Sequence, residues 1–292
     1  IKVAYLHMRR FTSLLLLLFY FWNPGFAQSP IDPTINPYFD LVRPAYSGDL
    51  AYETVGFVEK YWRVAGNTGF NETVYLIAAK LEKAGYVLEK NAKAEDRFTY
   101  RIETRKMNLP TWEPIDSHLS IVGESKPLLQ FSSNRNMIYQ SSSSTPKGGI
   151  KAEVLYISKE EDLDSKSVMG KILFSDQLSF REMQDAVKKQ GALGILTYDN
   201  PDYLQPEKNQ TSIQFRGLPN EEEKGNWALA LSYAAKERLK NALANGKVEV
   251  EVRIETKIYK SEELTIVADI RDNEKPAESL VFSAHIQEPG AN

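Results

Sequence analysis

The 292-residue chain contains 36 basic and 39 acidic residues, which give a formal net charge of -3 at pH 7, and it has no cysteine. A mildly acidic chain is poorly matched to phosphate backbones, which are bound by Lys and Arg, so we predict no nucleic-acid partner. The lack of cysteine excludes disulfides, thiolate zinc sites and a cysteine nucleophile. The length suits one large domain or two small ones.

The first 27 residues have the pattern of a secretory signal peptide. Arg9 and Arg10 follow Met8, an apolar run covers residues 14–22, and Gly25-Phe26-Ala27 places small residues where a signal peptidase cuts. The run is shorter than the ~20 apolar residues that a spanning helix needs. We therefore expect export to the periplasm or the extracellular space, with no stable membrane span after the signal is removed. Residues 1–7 are interpreted as translated sequence upstream of Met8.

From residue 28 to residue 111 the pattern favours helices followed by strands, and no residue there suggests chemistry. The helices show apolar residues at helical spacing, and Gly85 stands where a C-terminal cap belongs. The predicted elements are an extended Pro-rich arm over Pro30–Pro44, a helix from Leu50 to Arg63, a second helix capped by Thr68 or Asn71, and strands over Tyr86–Glu89 and Phe98–Thr104.

Residues 112–260 have a different sequence pattern, which predicts short strands separated by polar turns. Ser179 and Glu182 form a capping box for a helix that ends at Gly191, and Ser232 caps another helix. Residues 248–258 alternate apolar and charged side chains, which indicates a strand solvated on one face. The predicted strands are Leu119–Val122, Ala152–Ile157, Gly170–Phe174, Leu193–Tyr198, Trp227–Leu231 and Val248–Ile258, and the predicted polar loops are Ser141–Ser144 and Asn200–Asn226.

Two apolar strands are predicted at the end of the sequence, over Leu264–Ile270 and Leu280–Ala284. His285 follows the second strand, and ligand sites form at the carboxyl ends of strands in open α/β sheets. His285 is therefore a candidate metal ligand or base, although its position alone favours a strand-end histidine without a metal, because a single His lacks the ligand cluster of a zinc site. The other two histidines are His7 and His118, the latter predicted at the surface, so a site of several imidazoles cannot be completed within this chain. The acidic run Glu221–Glu223 lacks the interleaved oxygen pattern of a calcium loop.

The order of these parts resembles the secreted zinc exopeptidases of peptidase family M28 that carry a protease-associated (PA) domain inserted in the peptidase domain. The residues that match the insert are GKILFSD (Gly170–Asp176), AVKKQGALGILTYDN (Ala186–Asn200) and ALSYAAKERLKNALANG (Ala230–Gly246). The helix pair of the family is matched by Val58–Gly66 and Thr73–Gly85, and its return to the peptidase sheet by LTIVADI followed by SLVFSAH.

The resemblance implies an α/β fold, in which a zinc-exopeptidase sheet domain begins and is interrupted by a β-rich, PA-type α+β insert. The implied boundaries are a signal peptide over 1–27, an N-terminal helical part of the peptidase domain over 28–111, a PA-like domain over 112–260, and the start of the catalytic sheet over 261–292. We expect the chain to be an N-terminal fragment of such a protein.

The resemblance also assigns roles to residues at the end of the chain. His285 matches the ligand of the first of two zinc ions, and Gln287 stands where the family usually has an Asp that supports this His. An amide can accept a hydrogen bond from the imidazole but brings no charge, and such supporting groups tune ligand basicity. Residues 289–292 match the segment before the family's bridging Asp, and the remaining zinc ligands and the general base are expected after Asn292.

The activity implied by the resemblance is zinc-dependent hydrolysis of peptide or protein substrates, most simply by an aminopeptidase. In such sites two metal ions about 3.5–4 Å apart lower the pKa of a bridging water and polarise the carbonyl, and a carboxylate acts as base. A non-catalytic exported binding module that uses the PA-like domain is the alternative. A structural cell-surface domain is a third possibility, but no repeats or stalk composition favour it. The sequence leaves the oligomeric state and the substrate residue preference open.

Overall fold

The computed structural model describes residues 34–165, 167–219, 226–271 and 279–290. The predicted signal peptide and the run Glu221–Glu223 lie outside this part of the chain. The described residues form helices and two β-sheets, which confirms the predicted α/β class. No helix within these ranges is both long enough and apolar enough to span a membrane.

The described residues contain six α-helices. They are α1 (Asn36–Val42), α2 (Gly48–Val58), α3 (Thr68–Lys83), α4 (Glu161–Ser165), α5 (Phe180–Gln190) and α6 (Tyr233–Ala244). The chain divides after Glu53 into two compact units, and helix α1 belongs to the first of them.

Three details of the first helices differ from the prediction. Part of the expected extended arm is helix α1, because a proline in the first turn lacks only an N–H that has no helical partner. Helix α2 ends at Val58 rather than at Arg63, and the Arg63 guanidinium donates to the Val58 carbonyl. The cap of α3 is Asn67, whose side-chain oxygen accepts a hydrogen bond from the Phe70 N–H at 2.9 Å.

The smaller sheet has three strands in the order β1-β2-β10, namely Val87–Leu88, Phe98–Lys106 and Glu262–Ile270. Strands β2 and β10 are antiparallel and pair from Lys106 opposite Glu262 to Phe98 opposite Ile270. The sheet therefore joins strands that are far apart in the sequence, and within the described residues β10 forms one of its edges.

The larger sheet has seven strands, all from residues 111–259, in the order β4-β3-β9-β5-β6-β7-β8. The strands are β3 (Thr111–Ile121), β4 (Leu129–Gln130), β5 (Ile150–Tyr156), β6 (Ile172–Ser175), β7 (Gly194–Thr197), β8 (Ala228–Ala230) and β9 (Glu249–Tyr259). Strand β9 is antiparallel to β3 and β5, whereas β5 to β8 are parallel. Val250, Val252 and Ile254 of β9 are buried, as the alternation predicted.

Helix α5, between β6 and β7, and helix α6, between β8 and β9, begin as their sequences predict. Ser179 and Glu182 form the capping box of α5, which ends at Gly191 in the left-handed conformation with φ of 79°. The Ser232 hydroxyl accepts a hydrogen bond from the Ala235 N–H at 3.3 Å and caps α6. Local hydrogen bonding thus fixes where both helices start.

The predicted polar loop over Ser141–Ser144 is a loop, but part of it is buried. Ser142 is fully buried and its carbonyl accepts hydrogen bonds from the Trp112 indole and the Thr256 hydroxyl, both at 2.9 Å. Its hydroxyl accepts from the Ala228 N–H at 3.2 Å. The serine therefore satisfies buried polar groups of the larger sheet, which is a role that its polar composition did not indicate.

Residues 107–261 leave the smaller sheet and return to it at one place. Lys106 is the partner of Glu262 at the end of β2 and β10, and Thr111 is the partner of Tyr259 at the start of the larger sheet. Gly66 packs against this crossing with φ of 76°, and a Cβ atom there would lie 2.9 Å from the Glu262 carbonyl oxygen. Only glycine combines this backbone conformation with so close an approach.

The prediction of a second C-terminal strand over Leu280–Ala284 is wrong for the described chain. Residues 279–287 form no strand, and the side chains of Leu280, Val281 and Phe282 are 83%, 80% and 89% exposed. A strand is defined by hydrogen bonds to a neighbour, and no described residue pairs with this segment. Apolar composition favours a strand, but it does not supply a neighbouring strand to pair with.

A nearly buried carboxylate lies at the carboxyl ends of β5 and β6. The Asp176 side chain is 6% exposed and accepts hydrogen bonds from the Tyr156 hydroxyl and the Lys240 ammonium, both at 2.6 Å. Burial by itself raises the pKa of Asp176, but the hydrogen bonds from Lys240 and Tyr156 outweigh it, and the pKa is lowered. The cluster therefore anchors α6 to the sheet through an ionised carboxylate.

Replacing Gly194 with alanine should destabilise the larger sheet. A Cβ atom at this position of β7 would lie 2.2 Å from Cζ2 and 2.3 Å from Cε2 of the buried Trp227 ring. Overpacking of this kind costs about 1–3 kcal/mol, so the Tm in a thermal melt should fall by several degrees. Gly56→Ala is the matched control, because no atom lies within 4 Å of its Cβ and alanine favours helix α2. An unchanged Tm for Gly194→Ala would contradict the packing described.

Replacing Asp176 with asparagine should lower the free energy of unfolding by about 2 kcal/mol at pH 7, the scale of hydrogen bonds to charged groups. Because the folded-state pKa is lowered, the contribution is present above the unfolded pKa of about 3.9 and is lost as the pH falls through the folded pKa. The difference between wild type and variant should therefore shrink in acid, measured by urea unfolding. Asp185→Asn, in an exposed pair with Lys189, is the control and should change little at any pH.

Candidate functional site

The segment that carries both predicted site residues lies against the turn after helix α2. The Arg63 N–H donates to the Glu288 carbonyl at 2.7 Å, and the Glu288 N–H donates to the Arg63 carbonyl at 3.1 Å. Gly290 is buried beside the same turn, where a Cβ atom would lie 3.0 Å from the Glu59 carbonyl oxygen. The backbone of residues 286–290 is thus fixed against residues 59–63.

Arg63 holds this arrangement with a side chain that is only 8% exposed. Its Nε donates to the Ile286 carbonyl at 3.0 Å, while Nη1 donates to the carbonyls of Val58 and Tyr61. Burial lowers the pKa of the Arg63 guanidinium, and the nearby Glu288 carboxylate raises it in part. Arginine nevertheless stays charged in proteins, so a buried cation bonded to main-chain carbonyls joins residues more than 200 positions apart in the sequence.

His285 projects from this fixed segment with its side chain 76% exposed. Its Nδ1 lies 3.0 Å from the main-chain carbonyl oxygen of Gln287 and 3.5 Å from Oε1 of Glu288. A carbonyl oxygen can only accept a hydrogen bond, so this contact assigns the proton of the neutral ring to Nδ1. Nε2 then carries the lone pair on a largely exposed ring, and a neutral imidazole nitrogen of this kind can bind a metal.

Gln287 acts on His285 through its main chain. The sequence suggested that the side-chain amide would accept from the imidazole, whereas the contact is made by the backbone carbonyl two residues after the histidine. The Gln287 side chain instead contributes to the cleft beside His285. A side chain at position 287 is therefore not needed for the contact to the imidazole.

Two concave surfaces meet at His285. One is a cleft of about 330 Å³ with an apolar wall that includes Trp62, Val64 and Phe215 and a polar side that includes Gln140 and Glu288. The other is a groove of about 440 Å³ between His285 and strand β10, with Phe70 and Ile77 of helix α3 at its base. The imidazole lies where either surface can bring a ligand to it.

The apolar wall of the first cleft is built from interlocking aromatic rings. Trp62 meets Trp112 edge-to-face at 5.4 Å and Phe215 at 6.3 Å between ring centroids. The Trp62 indole N–H donates to the Arg135 carbonyl at 2.9 Å, which satisfies its polar end. Phe215 is 42% exposed, so part of its ring is available to a ligand in the cleft.

A further cleft of about 380 Å³ lies among residues of the larger sheet and its loops. Arg216 and Asp199 form an ion pair at 2.7 Å on its wall. The Tyr139 hydroxyl shares a hydrogen bond with the Thr197 hydroxyl at 2.7 Å, and burial raises the pKa of Tyr139 to about 12. Tyr139 is therefore neutral at physiological pH and acts in this cleft as a hydrogen-bonding group.

The described residues do not supply a complete zinc site. No group of three or more His, Asp or Glu side chains within the described ranges could hold a metal. His118 is half-buried on β3 of the larger sheet, opposite Gln130, and contributes nothing beside His285. Catalytic zinc takes about three protein ligands, whereas one imidazole and the neighbouring Glu288 carboxylate are present.

The sequence indicates His285 as a candidate ligand but does not indicate the residues that hold it. Arg63 is the last residue of a predicted helix and has no motif around it, because its partners are main-chain carbonyls whose residue types are irrelevant to the contact. Trp62 and Phe215 form one wall only after the fold brings them together.

No protein-family model and no curated protein matches the chain. Solved structures that do match include an aminopeptidase from Aneurinibacillus sp. strain AM-1, with 18% identity and a TM-score of 0.43 over 76% of this chain and 47% of that one. A peptidase M28 precursor from Shewanella amazonensis matches with 17% identity and a TM-score of 0.46 over 75% and 50%. A zinc aminopeptidase from Bacillus subtilis matches with 16% identity and a TM-score of 0.49 over 79% and 48%. The chain thus spans about half the length of these structures.

Replacing Gly290 with alanine should loosen the segment that carries His285. The added Cβ atom would lie 3.0 Å from the Glu59 carbonyl oxygen and 3.3 Å from that of Tyr61, so the segment must move outward. A penalty of about 1–3 kcal/mol corresponds to a roughly 5- to 150-fold faster amide hydrogen exchange at the Arg63 N–H, which bonds to Glu288. Unchanged exchange at this amide, with an unchanged melting curve, would contradict the close packing of Gly290.

Proposed function

We propose that this chain is part of an exported metal-dependent exopeptidase, an aminopeptidase, in which His285 provides one ligand of a two-zinc site. The observation that carries the proposal is the state of His285. Its Nδ1 contacts a main-chain carbonyl, and its largely exposed ring lies at the meeting point of a cleft and a groove. The segment AHIQEPGAN, which resembles the first metal-binding segment of family M28, supplies the chemical identity of the ligand.

The cleft beside His285 has the properties expected of a peptide-binding site. Its volume of about 330 Å³ is at the lower end of the range for small-molecule sites, so it accommodates a small part of a peptide. The exposed part of Phe215 offers apolar contact to a side chain. Gln140 offers amide groups for main-chain hydrogen bonds, and the Glu288 carboxylate offers an acceptor for an amino group. The proposed substrate is therefore a peptide or a protein terminus.

Two zinc ions, when bound, would supply the activation of water and the polarisation of the carbonyl. The proposal assigns the remaining ligands and the general base to residues outside the described part of the chain. What this chain contributes is the imidazole, its orientation by the Gln287 carbonyl, and the cleft that binds the substrate.

We also propose that residues 112–260 are a PA-type domain inserted in the peptidase domain, that residues 28–111 and 261–292 belong to the latter, and that residues 1–27 direct export. Two observations support the insertion. All seven strands of the larger sheet come from residues 111–259, and the smaller sheet pairs β2 with β10 from either side of that range.

A non-catalytic exported binding module is the second candidate. It is favoured by the lack of a three-ligand metal group among the described residues and by the cleft at Tyr139 and Arg216 within the larger sheet. In this case the working surface is the PA-like domain, and His285 has no metal.

The deciding experiment uses the longest reading frame that contains this chain. The purified protein should contain zinc and hydrolyse aminoacyl chromogenic substrates. His285→Ala should reduce both zinc affinity and hydrolysis by more than about 100-fold. Loss of a residue that only supports a zinc ligand already lowers metal affinity or activity by about 10–100-fold. His118→Ala is the control and should leave both unchanged. A zinc-free, inactive protein would favour the binding module, and full activity of His285→Ala would refute the proposed ligand.

The 292-residue chain alone, with zinc added, should show no hydrolysis above that of its His285→Ala variant, because one imidazole does not hold catalytic zinc. Hydrolysis that survives purification and is absent from the variant would contradict this expectation.

A further inference from the structure

We infer that Arg63 is a positioning residue for His285. It fixes residues 286–288 so that the Gln287 carbonyl meets Nδ1 of the imidazole and leaves the lone pair on Nε2. A neutral main-chain group thus performs the orienting role that the resemblance assigns to a carboxylate side chain. The importance of this role for zinc binding rests on the proposed function, whereas the state of the imidazole follows from the contacts alone.

Arg63 holds the residues on both sides of Gln287. The Ile286 carbonyl accepts from Nε of Arg63 at 3.0 Å. The Glu288 main chain exchanges two hydrogen bonds with the Arg63 main chain, at 2.7 and 3.1 Å. With its neighbours fixed on either side, the Gln287 carbonyl has a single direction, and it lies 3.0 Å from Nδ1 of His285.

Arg63 is itself anchored, so it can act as a fixed support. Its Nη1 is bonded to the carbonyls of Val58 and Tyr61 within the same turn. The neighbouring Trp62 is 5% exposed and packs edge-to-face on Trp112 of β3. Hydrogen bonds from a charged guanidinium are about twice as strong as neutral ones, so the support is firmer than an uncharged side chain would make it.

The contact with the histidine has a chemical consequence. A carboxylate partner makes an imidazole ligand more basic through its charge, whereas a carbonyl orients the ring and selects the tautomer with less effect on basicity. The Glu288 carboxylate is the nearest alternative acceptor, at 3.5 Å from the same nitrogen. The group that accepts the hydrogen bond from Nδ1 is therefore the main-chain carbonyl of residue 287. It is neither the side chain of Gln287 nor that of Glu288, and variants of these two side chains can distinguish the three acceptors.

The test is the tautomer of His285 in the ¹⁵N-labelled chain without metal, read from long-range ¹H–¹⁵N spectra at a pH where the imidazole is neutral. The wild type should show the proton on Nδ1. Gln287→Ala and Glu288→Gln should keep this tautomer, since the carbonyl of residue 287 remains. Arg63→Gln should shift the tautomer ratio about fivefold towards Nε2–H, which free imidazole side chains favour in water, as expected for the loss of a hydrogen bond worth ~1 kcal/mol. In Arg63→Lys the tautomer ratio should lie between those of the wild type and Arg63→Gln.

The Trp62 indole resonance and a thermal melt report whether each variant keeps its fold. A wild type with the proton on Nε2 would overturn the inference. A tautomer change in Gln287→Ala or Glu288→Gln would also overturn it. These two variants keep the inference testable even if the Arg63 variants fail to fold. An unchanged tautomer in a folded Arg63→Gln would refute the role of Arg63. Because no zinc is present, a complete protein that binds no zinc would defeat the proposed function and leave this result standing.

Discussion

The pairing of strand β9 is the constraint on which both sheets depend. It runs antiparallel to β3 from Thr111 opposite Tyr259 to Ile121 opposite Val250, and its first half also pairs with β5. It therefore joins the antiparallel part of the larger sheet to the parallel part. The chain continues from Tyr259 almost directly into β10, which closes on β2. A shift of β9 by one residue would move its buried face to solvent, and it would also misplace β10 and the groove beside His285.

The candidate site is held mainly by backbone contacts. Arg63 binds carbonyls, Gly290 is fitted to carbonyl oxygens, and the His285 ring is oriented by the carbonyl of Gln287. Such contacts depend on the path of the chain more than on the identity of the residues that supply the acceptors. The exposed part of the Phe215 ring is then available to contact a ligand in the cleft.

Features with short-range causes were predictable, and features with long-range causes were not. The capping box at Ser179 and the alternation along β9 depend on residues within a few positions, and both are present as predicted. The strand predicted over Leu280–Ala284 depends on a partner that composition does not specify, and the described residues provide none. The role of Arg63 is even less predictable from the sequence, because its partner Ile286 lies 223 positions away and is recognised by its carbonyl alone. A histidine after an apolar run is a local pattern, so the sequence offers His285 as a candidate, whereas the orientation of its ring depends on the fold.

The crossing at Gly66 bears on how the chain is organised as modules. Lys106 and Glu262 face each other as a strand pair, so their Cα atoms lie about 4.5–5.5 Å apart. A two-residue hairpin turn spans such a pair. A single short turn could therefore connect β2 directly to β10 at this point. The same spacing accommodates a different domain whose ends lie close together, which makes the crossing a graft point for protein engineering.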